Sequence, residues 1–261
     1  MSFRCRAFRS VTTAILMACL WAAGFGGNAA AADLQVSPIS LEFSPREQAR
    51  AIWLSNTGAK PLRAQVRVQQ WTQTDNQDQL APTRELSASP PAVEIPPGGK
   101  QLVRIIRQQP VAPAVEQSYR LIVDELQVDT VDGSPPPGLQ FLMRYLVPVF
   151  VAVEAPSPAG GRQTDISALS ASLQTASKPP QLVVKNTGRT HFKLAQLAYV
   201  DADGRRTVVA PGLLGYVLAG QQMQWPLKLA PLQGAYGTGA FKAKFNADLE
   251  EQTLPLVNTR P

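Results

Sequence analysis

The chain has 261 residues, with 25 lysines and arginines against 19 aspartates and glutamates, 23 prolines, two cysteines and one histidine. Its formal net charge is +6, and the +3 that remains without the N-terminal segment discussed below is too small and too scattered to indicate nucleic acid or a membrane surface as a partner. The many prolines and the scarcity of long helical patterns favour strands and turns.

The N-terminus is typical of a cleavable signal peptide, predicted to span residues 1–32. Three arginines, Arg4, Arg6 and Arg9, precede the apolar run 11–25, and small alanines end at Ala32. A membrane anchor is an alternative, although the run is short for a bilayer. Lipidation at Cys19 is another, because Leu16–Cys19 resembles a lipoprotein signal box. Cleavage would leave a net charge of 6 − 3 = +3.

Both cysteines, Cys5 and Cys19, lie within this segment. The mature chain would therefore be exported without any disulfide, and without a thiol nucleophile or zinc-binding thiolate.

Short alternating runs follow one another down the chain and predict a β-sandwich. The predicted strands of the first part are 34–43, 50–55, 62–71, 100–107, 119–126 and 139–147. A polar turn is predicted at 72–79, and proline–glycine segments separate other strands.

A second unit begins after a proline- and glycine-rich stretch at 154–162 that has the composition of a linker. Leu182–Gly188 followed by 192–200 repeats the pattern of Trp53–Gly58 followed by 62–68. The two Asn-Thr-Gly turns lie 186 − 56 = 130 residues apart, about one domain. Further strands are predicted at 208–218 and 223–229, with a hairpin-like pair at 239–249. We predict two domains, 33–153 and 163–261.

The run 139–147 has an apolar row that a partner chain could use. Its members alternate on one face of an extended strand: Leu139, Phe141, Met143, Tyr145 and Val147. The other face is only half polar, because Leu142 and Leu146 accompany Gln140 and Arg144. Prolines on both sides favour a sheet edge, since proline donates no ladder hydrogen bond. The hypothesis is that this row is lent to another chain; an ordinary core strand is the alternative.

Residues for enzymatic chemistry are scarce. His191 follows a turn and is interpreted as a solvated loop histidine, and 201–204 as a hairpin turn because no calcium-binding glutamate follows. Asp124 and Glu125 are adjacent on a strand and point to opposite faces, which does not suit paired acid–base chemistry. No glycine-rich phosphate loop occurs. We predict no catalytic residues, no metal and no cofactor.

Several stretches together resemble the periplasmic chaperones of the chaperone–usher pilus pathway, in particular the archaic, Csu-type branch. They are Val36-Ser37-Pro38, Ile52–Gly58, Ser89-Pro90-Pro91, Pro97-Gly98, Gln117–Leu126 and Phe141–Tyr145. The resemblance covers most of the first domain and is looser in the second. It implies an all-β protein of two immunoglobulin-like β-sandwich domains in a boomerang arrangement.

The resemblance also implies the partners. Clients would be pilin subunits, immunoglobulin-like folds that lack their final strand, and the chaperone would insert its own strand into their groove. Strand addition of this kind is an established mode of peptide recognition. Loaded subunits would pass to an outer-membrane usher. No nucleic acid and no membrane insertion is implied, and a self-capping homodimer without client is compatible with it.

Family chaperones anchor the pilin's terminal carboxylate with a basic residue. The two positions used in the better-studied branch hold Ser40 and Pro148 here. In the archaic branch the residue after the tyrosine of the Tyr-Arg-Leu block takes this role, which matches Arg120. Arg144 is a second candidate. Arg120 as a structural partner of Asp124 or Glu125, and Arg144 as an edge charge that discourages aggregation, are the alternatives.

Two other functions stay open at this point. An exported two-domain structural or adhesive protein would keep 139–147 internal. A secreted carbohydrate-active enzyme would need paired carboxylates in a cleft, and the sequence offers none.

Overall fold

The computed structural model of the chain describes residues 33–127, 141–154, 164–227 and 239–257. Within these ranges the chain forms strands and turns, and none of the described residues belongs to a helix that could cross a bilayer. The predicted signal peptide and nearly all of the predicted linker lie outside the described residues, so the domain boundaries stay predictions.

Seventeen strands are present in the described residues. In chain order they are β1 (Leu34–Ser37), β2 (Leu41–Phe43), β3 (Ala49–Asn56), β4 (Leu62–Thr74), β5 (Gln77–Pro82), β6 (Leu86–Ser89), β7 (Ala92–Ile95), β8 (Lys100–Arg107), β9 (Gln117–Leu126), β10 (Arg144–Val151), β11 (Leu169–Gln174), β12 (Gln181–Asn186), β13 (Phe192–Val200), β14 (Arg206–Val217), β15 (Gln222–Pro226), β16 (Ala240–Phe245) and β17 (Gln252–Thr253).

The strands form two β-sandwiches, which confirms the predicted fold class. In the first, a sheet ordered β1-β3-β8-β6 faces a sheet ordered β2-β10-β9-β4-β5, with β7 also paired to β4. In the second, β11-β12-β15 faces β14-β13-β16-β17. Each sandwich has its own core of alternating inward side chains from both sheets, such as Ile52 with Leu121 in the first and Val184 with Phe241 in the second.

The repeated Asn-Thr-Gly turn has the same structural role in both domains. Asn56 and Asn186 are buried, and each accepts a hydrogen bond from the glycine two residues later, at 2.9 and 2.8 Å. Each Nδ2 donates to the carbonyl four residues on and to a neighbouring strand or loop. The asparagine thus satisfies backbone groups that the turn leaves without ladder partners. The predicted repeat of strand, turn and strand is confirmed.

Two predictions about the first domain were wrong. The run 34–43 forms two strands, because Pro38 interrupts it: β1 pairs with β3, and β2 crosses to the other sheet and runs parallel to β10. The predicted polar turn at 72–79 is a hairpin in which β4 and β5 pair. All six residues of β5 are exposed, so it lacks the apolar alternation by which strands are recognised.

The two domains meet at a small aromatic cluster. Trp71 and Phe150 of the first domain and Leu218 of the second are each at most 3% exposed, and Tyr216 packs against them. Gln73 at the end of β4 adds two hydrogen bonds across the junction, donating to the Tyr216 carbonyl at 2.9 Å and accepting from the Leu218 amide at 2.9 Å.

His191 belongs to the same junction, so its interpretation as a solvated loop histidine was wrong. Its side chain is 13% exposed, and its ring stacks on Phe150 with centroids 3.5 Å apart. The Glu116 carboxylate accepts a hydrogen bond from the His191 backbone amide, and its Oε1 also lies 2.8 Å from Nδ1 of the His191 ring. The loop was predicted correctly; packing against the other domain is not visible in a single sequence.

Candidate functional site

Half of β10 lies at an open sheet edge. The strand pairs with β9 along its whole length, from Arg144 opposite Asp124 to Val151 opposite Gln117. On its other side β2 covers only Val149–Val151. Among the described residues, nothing pairs with that side of Arg144–Pro148. The predicted edge position is therefore confirmed for this half, where the missing N–H of Pro148 is tolerated.

The strand lies further along the chain than its predicted bounds of 139–147. It begins at Arg144 and passes through Pro148 to Val151, while Phe141–Met143 precede it without strand pairing. A pair of bonds with Glu125 still holds this segment, because the Met143 carbonyl accepts from the Glu125 amide at 2.8 Å and the Met143 amide donates to the Glu125 carboxylate at 3.1 Å.

The core fixes which face of this segment is free. Val147 and Val151 enter the core of the first domain, and Tyr145 is half-buried with its hydroxyl donating to the Leu34 carbonyl at 2.6 Å. Because side chains alternate, Leu142 and Leu146 point the other way, and each is 51% exposed.

The five residues of the predicted apolar row therefore have different environments. Phe141 is 76% exposed and Val147 only 4%, Met143 and Tyr145 are half-buried, and Leu139 lies outside the described residues. We call the segment Phe141–Pro148 the open edge. Its most exposed apolar side chains are Phe141, Leu142 and Leu146. The sequence analysis placed Leu142 and Leu146 on the face opposite the predicted row, and both are half exposed in the structure. The use of the row by a partner chain stays a prediction.

Arg144 lies within the open edge, and Asp124 of the neighbouring strand holds its side chain. Arg144 and Arg67 both donate to the Asp124 carboxylate. Burial acts to raise the pKa of Asp124, but the hydrogen bonds from Arg144 and then Arg67 outweigh it and hold this pKa below its usual value. Asp124 is thus occupied by these two arginines, and Arg120 does not pair with it.

Arg120 lies instead where the two domains meet. Its Cζ is 3.5 Å from the ring centroid of Trp71 and 5.5 Å from that of Tyr216. Its side chain is 15% exposed, and Asp78 approaches its Nη2 with an oxygen at 3.9 Å. Burial lowers the pKa of Arg120, and Asp78 and Tyr216 act in the opposite direction. Arginine stays charged in proteins, so this is a fixed cation on an aromatic platform.

We call Trp71, Asp78, Arg120 and Tyr216 the cleft cluster. Sequence reasoning identified only Arg120 of the four. Trp71 could have been suspected, because it falls out of phase with Leu62, Ala64, Val66 and Val68 of the same strand. Asp78 and Tyr216 could not, since their approach to Arg120 depends on an unpredicted hairpin and on domain docking. Ser40 and Pro148 supply no cation here.

The first domain matches a known protein family. Residues 33–155 match the family described as pili and flagellar-assembly chaperone, PapD N-terminal domain. Among proteins with curated descriptions, none matches the sequence.

Solved chaperone structures share the fold. The CsuC–CsuE complex of archaic Csu pili from Acinetobacter baumannii matches with a TM-score of 0.64 and 24% identity over 87% of this chain and 100% of the other. The YadV chaperone matches with a TM-score of 0.60 and 16% identity, over 85% of this chain and 100% of the other. The SafB chaperone in complex with SafA pilin from Salmonella enterica matches with a TM-score of 0.54 and 14% identity, over 87% of this chain and 96% of the other. The match to the family of pilus- and flagellar-assembly chaperones thus covers the first domain, residues 33–155, and the solved chaperones share the fold of both domains.

Proposed function

We propose that this protein is a periplasmic chaperone that binds pilin subunits by donating a strand from its open edge and delivers them to an outer-membrane usher. The observation that carries the proposal is a strand edge that no other described residue pairs with, together with exposed apolar side chains beside it. Two of the similar structures are chaperones bound to a tip adhesion subunit and to a pilin, which supports pilins as the clients.

The physics of strand addition suits this segment. An incoming strand would satisfy the unpaired backbone groups of Arg144–Pro148, while apolar side chains fill pockets of the client. Burial of a large apolar side chain contributes about 1.5–3 kcal/mol. Phe141, Leu142 and Leu146 together would contribute about 5–9 kcal/mol, against an association cost of about 4–15 kcal/mol. Backbone pairing and further apolar residues, Leu139 and Met143 among them, would have to supply the rest.

A charged anchor would fix the register of the added strand. A slip by one residue would exchange its two faces, so a contact at one end that recognises the chain terminus prevents slippage. We assign this role to Arg120, whose planar guanidinium can bind a carboxylate with two hydrogen bonds. Arg144 remains the second candidate, although Asp124 already occupies it.

Release of the client would proceed by strand exchange at the usher. A neighbouring subunit's strand would replace the chaperone's, so the net number of ladder hydrogen bonds stays the same and no nucleotide is needed. Val147, which is sealed in the chaperone's own core, would remain in place during the exchange.

The test is co-expression with a pilin subunit of the same organism, followed by co-purification from periplasmic extract. We expect a one-to-one complex with the wild-type protein and none with the Leu142→Asp, Leu146→Asp double variant. Both leucines are half exposed, so the variant should keep its circular dichroism spectrum and melting temperature. Failure of the wild-type protein to retain pilin, or full retention by the folded double variant, would refute the proposal.

A further inference from the structure

We propose that Asp78 is a specificity-determining residue: an internal carboxylate that neutralises Arg120 until the client's terminal carboxylate displaces it. This inference rests on the proposed function, because it assigns a competitor to the anchor that would hold the pilin.

Asp78 occupies the position of a substitute ligand. It lies in β5 directly opposite Gln73 of β4, and one of its oxygens is 3.9 Å from Arg120 Nη2. The two sides of the guanidinium differ, since Trp71 covers one and is 2% exposed, whereas the Asp78 side chain is 46% exposed. Asp78 is therefore the partner that can move.

The contact is an ion pair without a direct hydrogen bond. At 3.9 Å the separation exceeds hydrogen-bond length, and among the described residues no acceptor is hydrogen-bonded to the Arg120 guanidinium. A carboxylate that approached to about 2.8 Å and bonded to two N–H groups would bind more tightly. Asp78 thus neutralises the cation but leaves its donors available.

Displacement would leave no buried charge behind. The second oxygen of Asp78 accepts a hydrogen bond from Gln73 Nε2 at 3.0 Å, and Gln73 is fixed by its two bonds to the second domain. A displaced Asp78 would keep this bond and gain water. The exchange of one carboxylate for another would therefore be readily reversible.

The Asp78–Arg120 pair would discriminate between a free carboxylate in solution and the carboxylate of a chain that is already paired with the open edge. A small free anion must compete with Asp78, which is tethered beside Arg120 at a high effective concentration. A chain terminus brought in by strand pairing has a high effective concentration as well and can displace it. Asp78 would thus make Arg120 selective for the end of a paired strand over unattached anions.

The experiment uses acetate as a probe, with acetamide as its neutral counterpart. Binding is followed by the chemical shift of the Arg120 Nε–H group in the full mature chain. Asp78→Asn removes the charge and keeps an oxygen for Gln73, and Asp78→Ser is the second variant should the first unfold. Asp75→Asn is the matched control, because Asp75 lies in the turn of the same hairpin and is exposed, and Asp78 is the carboxylate paired with Arg120 among the described residues.

We expect acetate to bind at least threefold more tightly to Asp78→Asn than to the wild-type protein or to Asp75→Asn, and acetamide to show no difference. Equal acetate affinity in all three proteins, or an equal gain for acetamide, would overturn the inference. Pilin co-purification by the wild-type protein is measured in parallel. Its absence would refute the proposed function, whereas pilin capture together with equal acetate affinities would refute only the role of Asp78.

Discussion

Arg120 has a structural role at the domain junction, in addition to the recognition role proposed for it. Its stem and guanidinium cover Trp71 at the domain junction, and its charge is balanced by Asp78. A cation–π contact of this kind contributes about 0.5–2 kcal/mol, so the residue should matter for stability as well as for binding.

Arg120→Ala should therefore abolish pilin retention and lower the free energy of unfolding by about 1–2 kcal/mol, from the lost contact with Trp71. Arg120→Lys keeps the charge but loses the planar stacking and the paired donors, so it should retain part of the pilin. Co-purification and urea denaturation measure the two effects. Pilin capture by Arg120→Ala at the wild-type level would show that the anchor lies elsewhere.

The lowered pKa of Asp124 predicts that this residue contributes to stability in a pH-dependent way. Its pKa is lower in the folded protein than in the unfolded chain, so its stabilising effect is fully present above the unfolded value of about 4 and is lost as the pH falls through the folded pKa. Asp124→Asn should cost about 1 kcal/mol at pH 7, because its arginine partners are partly exposed. The difference from the wild-type protein should shrink at pH 3 in denaturant titrations. A difference that is equal at both pH values would contradict this account.

The open edge is the element on which the proposed function depends, and its two ends predict opposite outcomes. Val147→Asp would place a charge in the core of the first domain and should unfold it. Phe141→Asp with Met143→Asp, in the segment before β10, should leave the fold intact and abolish pilin retention. Thermal denaturation and co-purification of the two proteins separate these effects. If the Phe141 and Met143 variant also unfolds, this segment belongs to the core and is not available to a client.

Many of the strands and turns could be predicted from the sequence, and the predictions that failed did so for physical reasons. Alternation located β8 and β13 to the residue, and the Asn-Thr-Gly turns identified the repeat. It could not locate β5, which buries none of its residues. It also could not show which face of 139–147 is free, because both faces carry apolar residues and the difference arises from packing against the core of the first domain.

At the scale of the whole molecule, the domain junction is built from residues that no local pattern identifies. Glu116 precedes β9 and binds both the amide and the ring of His191 in the second domain. The same junction orients Tyr216 toward Arg120, so the cleft cluster requires the two domains to be docked. A motif in one domain singled out Arg120 as the proposed anchor, but its contacts with Asp78 and Tyr216 could not be predicted.

Glu116→Ala should accordingly destabilise the protein by about 1–3 kcal/mol, because it leaves the His191 amide without its acceptor. Glu94→Ala is the matched control: Glu94 forms an exposed pair with Arg63, and its loss should change stability by less than about 0.5 kcal/mol. Differential scanning calorimetry gives both values. Equal effects of the two substitutions would contradict a structural role for the Glu116–His191 contact.

The most direct measurement of the central claim is site-specific photocrosslinking within the purified chaperone–pilin complex. A benzophenone side chain is placed at Leu146 on the open edge or at Val208 on the second domain, positions of similar exposure at 51% and 53%. The account predicts a crosslink from position 146 into the pilin groove, with none from position 208. A pilin that is bound yet crosslinks from 208 and not from 146 would contradict strand donation by this edge.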